Sequence, residues 1–392
     1  MAQRSTKHFL NVYYAYAFLF DFILAYAIYT AYFELNGLSF FAIGVLLAFW
    51  SGSALVLEIF TGALSDWLDR RWLLIAAPLF KILTFVCWGL ADGNVWLYGA
   101  GFGFWSLAGA LFSGTAEALL FERLEADGKA AEYDKYYGRA SAAEALGVAG
   151  GFLLGGIVAG MTSMDVTIWL SIPPLVLASI AAFWLHDIRQ NTDKEETGYF
   201  ENIRLAFHEF RTLPDLRFVT VYIAFGLIIF GELEEFDQLY YTAVNLPLWL
   251  FGVAGAIGLA VHALASVSAH RLAHYRSLAW ILPALGGILF VIASFGTNPW
   301  FVAVLELGYL LAVPPLILAQ ARFQQLIETR ARATTTSVLE FLQNITGLIL
   351  ALCFGLLASA VGILPAYGWA GLALLPISAW IWWRQRNGAS AF

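Results

Sequence analysis

The sequence has little charge, almost no cysteine and few long polar stretches. Lys, Arg, Asp and Glu make up 12% of its 392 residues, against about 25% in soluble proteins. Cys87 and Cys353 both fall inside apolar runs, so a disulfide framework is excluded and both are predicted to be small core residues. There is no phosphate loop G-x-x-x-x-G-K-S/T, no metal-ligand spacing and no nucleophile elbow in the sequence. These absences disfavour ATP-driven and hydrolytic chemistry, and we expect no cofactor and no metal.

Apolar residues take the place of the missing charge. The chain is 60% hydrophobic and includes 32 Phe, 17 Tyr and 15 Trp. A membrane-spanning helix needs roughly 20 mainly apolar residues, and we count twelve such runs. The start, M-A-Q-R-S-T-K, leads directly into the first run without a small-residue cleavage pattern. It therefore favours a retained first helix over a removed signal peptide.

The twelve runs divide into two groups of six around a polar linker. The predicted helices, numbered 1 to 12, have approximate bounds of 9–33, 40–64, 73–90, 95–120, 138–161, 166–185, 218–241, 246–269, 278–295, 300–323, 334–361 and 364–383. A polar stretch at 122–137 is predicted to be an interfacial loop, and 187–213 a cytoplasmic linker. The two bundles are predicted at 1–186 and 214–392.

The basic residues give the orientation. All 21 Lys and Arg can be placed on one side of the membrane in this topology, with Lys81 counted toward the start of helix 3. The positive-inside rule then places both termini and the linker in the cytoplasm, which requires an even number of spans. We expect a multi-pass protein of the plasma membrane, which in a bacterium is the inner membrane.

A cluster of charged residues separates helices 2 and 3, in the stretch E-I-F-T-G-A-L-S-D-W-L-D-R-R. A glycine there lets two helices approach closely, and an aspartate four residues later lies on the same helical face. The spacing resembles the loop signature of the major facilitator superfamily, G-x-x-x-D-R-x-G-R-R. The matching residues are Gly62, Asp66, Arg70 and Arg71. Trp67 and Asp69 stand where the family has Arg and Gly.

The second half carries a degraded repeat of this signature. The turn S-V-S-A-H-R-L-A-H-Y-R between helices 8 and 9 keeps small and basic residues but has lost the acid. A six-plus-six arrangement with such a repeat resembles the major facilitator fold over the whole chain. The resemblance implies an all-α integral membrane protein, with twelve transmembrane helices in two pseudo-symmetric six-helix bundles, that rocks between inward-open and outward-open states. The residues matching the signature would form an inner latch.

Helix 5 contains G-V-A-G-G-F-L-L-G-G, which resembles the antiporter motif of the superfamily, G-x-x-x-G-P-x-x-G-G. The matching glycines are Gly147, Gly151, Gly155 and Gly156, and Phe152 replaces the proline. In the family this motif is typical of exporters, and we expect Gly147, Gly151 and Gly155 to belong to the conformational gate. The alternative is that these small residues only let helix 5 pack closely on a neighbour.

Acidic residues inside the apolar runs are candidate substrate and proton sites. A carboxylate at the bilayer centre costs roughly 2.5–3.5 kcal/mol on insertion scales, so such groups mostly face a bundle interior or a wet cavity. The candidates are Asp21 with Tyr14 and Phe18 on its face, the helix 7 stripe Glu234, Gln238 and Tyr241, the neighbouring Glu235, Glu306 in helix 10, and Glu340 with Asn344 in helix 11. For Asp21, Glu234, Glu235 and Glu306 we expect no basic residue at the same depth.

A carboxyl group that loses water without gaining a cation exchanges protons near neutral pH. The helix 7 acids cannot all share one face, so either the helix unwinds there or the last acids reach the outer surface. Glu58, Glu117 and Glu144 lie nearer the cytoplasmic helix ends. We expect these three to pair with Arg or Lys at an inner gate, or with Lys81.

The function that these observations favour is proton-driven export of small organic or drug-like molecules, with cations preferred. The alternatives are uptake of a nutrient or metal chelate by symport or facilitation, and, from different classes, a lipid flippase or a receptor with the same fold. The expected partners are a small-molecule substrate, protons and the lipid bilayer, without nucleic acid. The protein is expected to be a monomer and not an enzyme.

Overall fold

The computed structural model describes residues 2–186, 212–327 and 332–388, with the backbone alone at 2–5, 58–67, 227, 268, 332–334 and 337. Nearly all of the predicted linker therefore lies outside the described residues. All regular structure in the described part is helical. Within it, ten helices are long and apolar enough to cross a membrane, and helix 9, Leu278–Ala293, is a shorter apolar helix.

Most predicted spans are single α-helices within a few residues of the expected bounds. They are Phe40–Trp67, Arg70–Gly89, Val95–Ala126, Tyr133–Met161, Leu248–Ser268, Leu278–Ala293, Phe301–Leu326, Arg332–Val361 and Ile363–Arg386 for helices 2 to 5 and 8 to 12. Helix 6 is divided at Ser171 into Met164–Leu170 and Ile172–Ala182.

The prediction of an unbroken helix 1 is wrong. Its α-helix ends at Asp21, a short 3-10 helix covers Leu24–Ala27, and a second α-helix covers Tyr29–Leu35. Ile23 between them has an extended backbone, with φ −110° and ψ 113°. The interruption frees backbone groups that need other partners, and the Ala25 amide donates to Ser171 Oγ at 2.9 Å. Helix 6 thus stabilises the interruption in helix 1.

Helix 7 is interrupted too. It contains the α-helix Pro214–Val221, a π-helical turn Tyr222–Leu227 and the α-helices Ile228–Glu234 and Asp237–Ala243. The sequence left two alternatives open, unwinding of helix 7 or exposure of its last acids on the outer surface. The structure shows the unwinding. Irregular backbone at membrane depth is tolerated only inside protein or beside a wet cavity.

The predicted interfacial loop at 122–137 is mostly helical, which corrects that prediction. Helix 4 continues to Ala126 and helix 5 begins at Tyr133. Ion pairs support both extensions. At the end of helix 4, Arg123 Nε lies 2.9 Å from Asp127 Oδ2, at the i,i+4 spacing that favours helices. At the start of helix 5, Lys135 Nζ lies 2.6 Å from Glu132 Oε2. Thr6 Oγ1 also donates to the Asp127 carboxylate, at 2.8 Å.

The chain forms two compact units. The first contains Met1–Leu38, Phe49–Thr192 and Pro247–Ala256, and the second Ser39–Ala48, Asp193–Leu246 and Ile257–Phe392. Helix 2 therefore contributes its first turns to the second unit, where the Phe41 amide donates to Ser359 Oγ at 2.7 Å. The division into bundles at 1–186 and 214–392 remains a prediction.

Buried tyrosine and tryptophan side chains position helices 1, 3 and 4 within the first unit. Tyr16 is fully buried and donates to the Leu74 carbonyl at 2.8 Å. The Trp88 indole donates to the Tyr98 carbonyl at 3.1 Å. These bonds let large aromatic groups be buried without an unsatisfied polar atom. Cys353, by contrast, is exposed, so its predicted core position is wrong.

Candidate functional site

The first unit contains a cavity of about 420 Å³ between helices 1, 3, 4 and 5. This volume lies within the usual range of small-molecule sites. The wall is partly aromatic and partly charged, with Phe20, Tyr26, Trp105, Phe112, Asp21, Lys81, Glu117 and Glu144 among its residues. Three carboxyl groups and one ammonium group thus face one space.

Asp21 forms an ion pair with Lys81. Lys81 Nζ lies 2.7 Å from Asp21 Oδ1 and 3.1 Å from the Phe20 carbonyl oxygen. Tyr26 donates to the same carboxylate oxygen at 2.6 Å. The prediction that no basic residue reaches the depth of Asp21 is therefore wrong. The signal was available, because Lys81 stands in the middle of Arg70–Gly89.

The face of helix 1 that lines the cavity differs from the predicted one. The lining includes Tyr13, Ala17 and Phe20 but neither Tyr14 nor Phe18. Phe18 instead stacks on Phe22, with ring centroids 5.2 Å apart. The helix turns by about 100° per residue, so a register one residue earlier than predicted accounts for the difference.

Glu117 and Glu144 line the same cavity as Asp21. Both were predicted to pair with Arg or Lys at a gate, and Lys81 was one named partner. In the structure Lys81 pairs with Asp21. Glu117 Oε1 instead accepts a hydrogen bond from Tyr137 Oη at 3.0 Å. These two acids therefore belong to the candidate site.

The helix 5 glycines lie against the interruption in helix 1. A Cβ atom at Gly151 would lie 2.5 Å from the Ile23 carbonyl oxygen. Cβ atoms at Gly147 and Gly155 would overlap the carbonyl oxygens of Phe18 and Leu24. These glycines therefore let helix 5 pack closely on helix 1, as the alternative interpretation of this stretch predicts. The contact positions the backbone that carries Asp21. The conformational-gate role predicted for these glycines remains a prediction.

The second unit contains a carboxyl group held by two phenols. Asp237 is buried, and its Oδ1 atom lies 2.6 Å from the hydroxyl oxygens of Tyr309 and Tyr367. Asp237 begins the helical piece that follows the interruption in helix 7. Sequence reasoning did not select Asp237, because nothing in E-L-E-E-F-D-Q-L-Y-Y shows which acid meets the tyrosines of helices 10 and 12.

A second acid of this unit also meets a tyrosine. Tyr241 Oη donates to Glu306 Oε1 at 2.5 Å, which brings together two predicted site residues. The predicted stripe of Glu234, Gln238 and Tyr241 is divided, because the helix stops at Glu234. Glu234 is exposed and Glu235 half-buried, whereas Gln238 and Tyr241 are buried.

Helix 11 contributes differently from the prediction. Glu340 is exposed and Asn344 half-buried. Glu232 packs against this helix, because its carboxylate would overlap a Cβ atom placed on Gly347.

At the predicted latch, Arg70 is buried and its Nη1 atom lies 2.5 Å from Glu122 Oε2. Asp69 caps helix 3 by accepting from the Arg71 amide at 2.9 Å, which satisfies a free amide at the helix start. The Arg71 guanidinium lies 5.7 Å from the centre of the Trp72 ring. The side chains of Glu58 and Asp66 lie outside the described part of the chain, and Gly62 is described only as backbone within helix 2.

Comparison with known proteins agrees with this architecture. The chain matches the family profile described as Major Facilitator Superfamily over residues 10–351. The crystal structure of the nucleoside transporter NupG superposes with a TM-score of 0.77 at 12% identity, covering 96% of this chain and 97% of that one. A bacterial homologue of the human lysosomal transporter Spinster, inward-facing and unoccupied, gives 0.73 at 15% identity, covering 97% and 96%. At these identities the likeness is one of fold. Curated protein sequences give no match.

Proposed function

The chain belongs to the Major Facilitator Superfamily, and from that membership we propose that it exports small organic cations in exchange for protons. That it is a multi-pass membrane protein and a secondary transporter, not an enzyme, follows from the family. The observation that carries the finer proposal is the cavity of the first unit, which collects three carboxyl groups and one ammonium group among aromatic rings.

The charges of the cavity favour a cationic substrate. Lys81 is already paired with Asp21, which leaves Glu117 and Glu144 as acids without a lysine of their own in the lining. A positive substrate supplies the missing charge at low dielectric, where an ion pair is stronger than in water. An anion would add to the acidic excess. The aromatic part of the wall suits an apolar body on the same molecule.

The buried acids of the second unit support proton coupling. Asp237 and Glu306 take tyrosine hydroxyls as donors. A carboxyl group hydrogen-bonded to phenols accepts a proton without breaking an ion pair, whereas protonation of Asp21 would break its ion pair with Lys81. We therefore assign coupling to Asp237 and Glu306, with Asp21 in the substrate site.

The export direction rests on the resemblance of Gly147–Gly156 to the antiporter motif. Alternating access would move the substrate, with Arg70, Arg71, Gly62 and Asp66 as the inner latch. A latch biases such an equilibrium only through contacts that differ between the two states. A monomer with both termini in the cytoplasm completes the proposal.

The test uses purified protein in liposomes with a trapped pH-sensitive dye and an acidic interior. A quaternary ammonium compound is added outside, because it carries a permanent charge and cannot carry a proton itself. Its neutral isostere and an organic anion are added in parallel, and empty liposomes are the control.

We expect the cation alone to make the interior more alkaline, as exchange for protons requires. Acidification on adding the cation would mean symport and would overturn the antiport assignment. Equal responses to the neutral isostere or to the anion would overturn the cationic class.

A further inference from the structure

The ammonium group of Lys81 sits in a cage of aromatic rings. Its Nζ atom lies 4.1 Å from the centre of the Phe20 ring, 5.4 Å from that of Trp105 and 5.7 Å from that of Tyr26. All three distances are within the roughly 6 Å at which a ring attracts a cation. The Asp21 carboxylate, 2.7 Å away, closes the remaining side.

Rings around a positive charge, with a carboxylate beside them, are the chemistry by which proteins recognise ammonium ligands. Here the ammonium belongs to the protein itself. The cage residues also line the 420 Å³ cavity. The Asp21 side chain keeps 13% of its surface exposed, against 4% for Lys81. The carboxylate is therefore reachable from the cavity, and the lysine fills the space that a ligand cation would take.

We propose that this cage binds the ammonium head of the substrate, and that Lys81 is a tethered competitor that occupies the cage between substrates. The inference rests on the proposed transport of cations and adds the site and the ligand class, an alkylammonium. Because the cage contains one carboxylate, it neutralises one ammonium at a time. Substrate and Lys81 are therefore alternative occupants.

The displaced lysine has a place to go. Its four-carbon stem is flexible, and Glu144 lines the same cavity and interacts electrostatically with Lys81 and Asp21. When a substrate ammonium enters the cage, the Lys81 ammonium moves toward Glu144. Asp21 and Glu144 then have one cation each, and Glu117 keeps its hydrogen bond from Tyr137, so the exchange leaves no ammonium group without a carboxylate.

A tethered competitor lowers the apparent affinity of the ligand. The apparent dissociation constant equals the intrinsic one divided by the fraction of molecules whose cage is free. If Lys81 occupies the cage nine-tenths of the time, removing its charge tightens binding about tenfold. A neutral ligand of the same shape gains much less, because it takes nothing from the rings or from the carboxylate.

The experiment measures binding to the purified full-length protein by titration calorimetry. Choline is the probe, and 3,3-dimethylbutan-1-ol, which has a carbon in place of the nitrogen, is its neutral match. In Lys81→Met we expect choline to bind about tenfold more tightly or better, with little change for the alcohol. Lys81→Arg keeps a tethered cation and is expected to show no such gain.

Two further variants locate the bound ammonium. In the Lys81→Met background, Phe20→Leu should weaken choline binding by about 2- to 30-fold, the range for one ring facing a cation. Adding Asp21→Asn to Lys81→Met should weaken it as well. If Lys81→Met does not fold, Phe20→Leu is made in the wild-type protein, where it must still weaken choline binding more than alcohol binding.

The proposal is overturned if choline binds Lys81→Met no more tightly than wild type, or if choline and the alcohol respond alike to Phe20→Leu. Failure here is separable from failure of the proposed function. If the wild-type protein shows cation-driven proton flux but Lys81→Met does not bind choline more tightly, the cage proposal is wrong and the proposed transport function stands. If Lys81→Met binds choline more tightly but the wild-type protein shows no cation-driven proton flux, the cage is a binding site and the proposed cation export is wrong.

Discussion

The phenol of Tyr367 lies 2.6 Å from Oδ1 of Asp237 and 3.1 Å from the Leu233 carbonyl oxygen, so one side chain of helix 12 reaches both sides of the interruption in helix 7. Its hydroxyl donates to one of the two at a time. Protonation of Asp237 would weaken the hydrogen bond that it accepts from Tyr367, because charged acceptors form stronger hydrogen bonds than neutral ones. The geometry links the charge of Asp237 to the attachment of helix 7.

The first prediction concerns coupling. Asp237→Asn keeps the shape of the side chain and removes the exchangeable proton. We expect loss of pH-gradient-driven transport, while binding of a cationic probe to the purified protein changes by less than about threefold, since Asp237 is not among the residues that line the cavity. Dye-loaded liposomes and calorimetry measure the two quantities. Full pH-driven transport by this variant would contradict the coupling assignment.

The second prediction concerns the ion pair of Asp21 and Lys81. Asp21→Asn leaves a buried ammonium without its carboxylate, and we expect the free energy of unfolding to fall by about 3–5 kcal/mol. Replacing both residues, by Asp21→Asn with Lys81→Met, should recover most of this loss, because no charge is then left alone. Denaturant unfolding in detergent micelles measures both. Equal stability of the single and double variants would contradict a stabilising ion pair.

The third prediction concerns the contact of helix 5 with helix 1. Gly151→Ala places a Cβ atom 2.5 Å from the Ile23 carbonyl oxygen, and relieving this overlap is expected to cost about 1–3 kcal/mol of stability. Gly138→Ala is the matched control in the same helix, since a Cβ atom there meets nothing within 4 Å. The control should be neutral or more stable by up to about 1 kcal/mol, because alanine is the better helix former. Thermal unfolding that ranks the two variants alike would refute the close contact.

The fourth prediction concerns the pair of Arg70 and Glu122, tested by a double-mutant cycle. Arg70→Met and Glu122→Gln are made singly and together, and we expect a coupling energy of about 1.5–3 kcal/mol, as for hydrogen bonds to charged groups. Arg70→Lys should recover only part of it, because an ammonium lacks the planar fork of guanidinium. Additive effects of the two single changes would show that the pair contributes nothing.

The positions of the spans could be predicted from the sequence because apolar length and basic loops are local properties. The interruption of helix 1 could not, since Ile23 is as apolar as its neighbours and only its backbone departs from the helix. A hydropathy pattern does not show that one apolar residue within a span has an extended backbone. In helix 7 the crowding of acids left two alternatives open, unwinding of the helix or exposure of the last acids on the outer surface, and the structure shows an interrupted helix.

The candidate site was predictable in its residue types and less so in its pairings. Asp21, Glu306 and Tyr241 were identified because polar groups in apolar runs are costly without a function. The partner of Asp21 is Lys81, on another helix, and such a pairing depends on how helices pack. The sequence positions of Glu117 and Glu144 predict a gate near the helix ends, whereas in the structure both acids line the cavity with Asp21.

The ion pair of Asp21 and Lys81 also bears on how the protein enters the bilayer during synthesis. An aspartate or lysine at the centre of a helix raises the insertion free energy by about 2.5–3.5 kcal/mol. Helix 1, with its interruption, is not among the ten described helices that are long and apolar enough to span alone. Its carboxylate meets its ammonium only after helix 3 has left the ribosome. We therefore expect the first three helices to insert together, and a chain ending before Lys81 to hold helix 1 less stably in the bilayer.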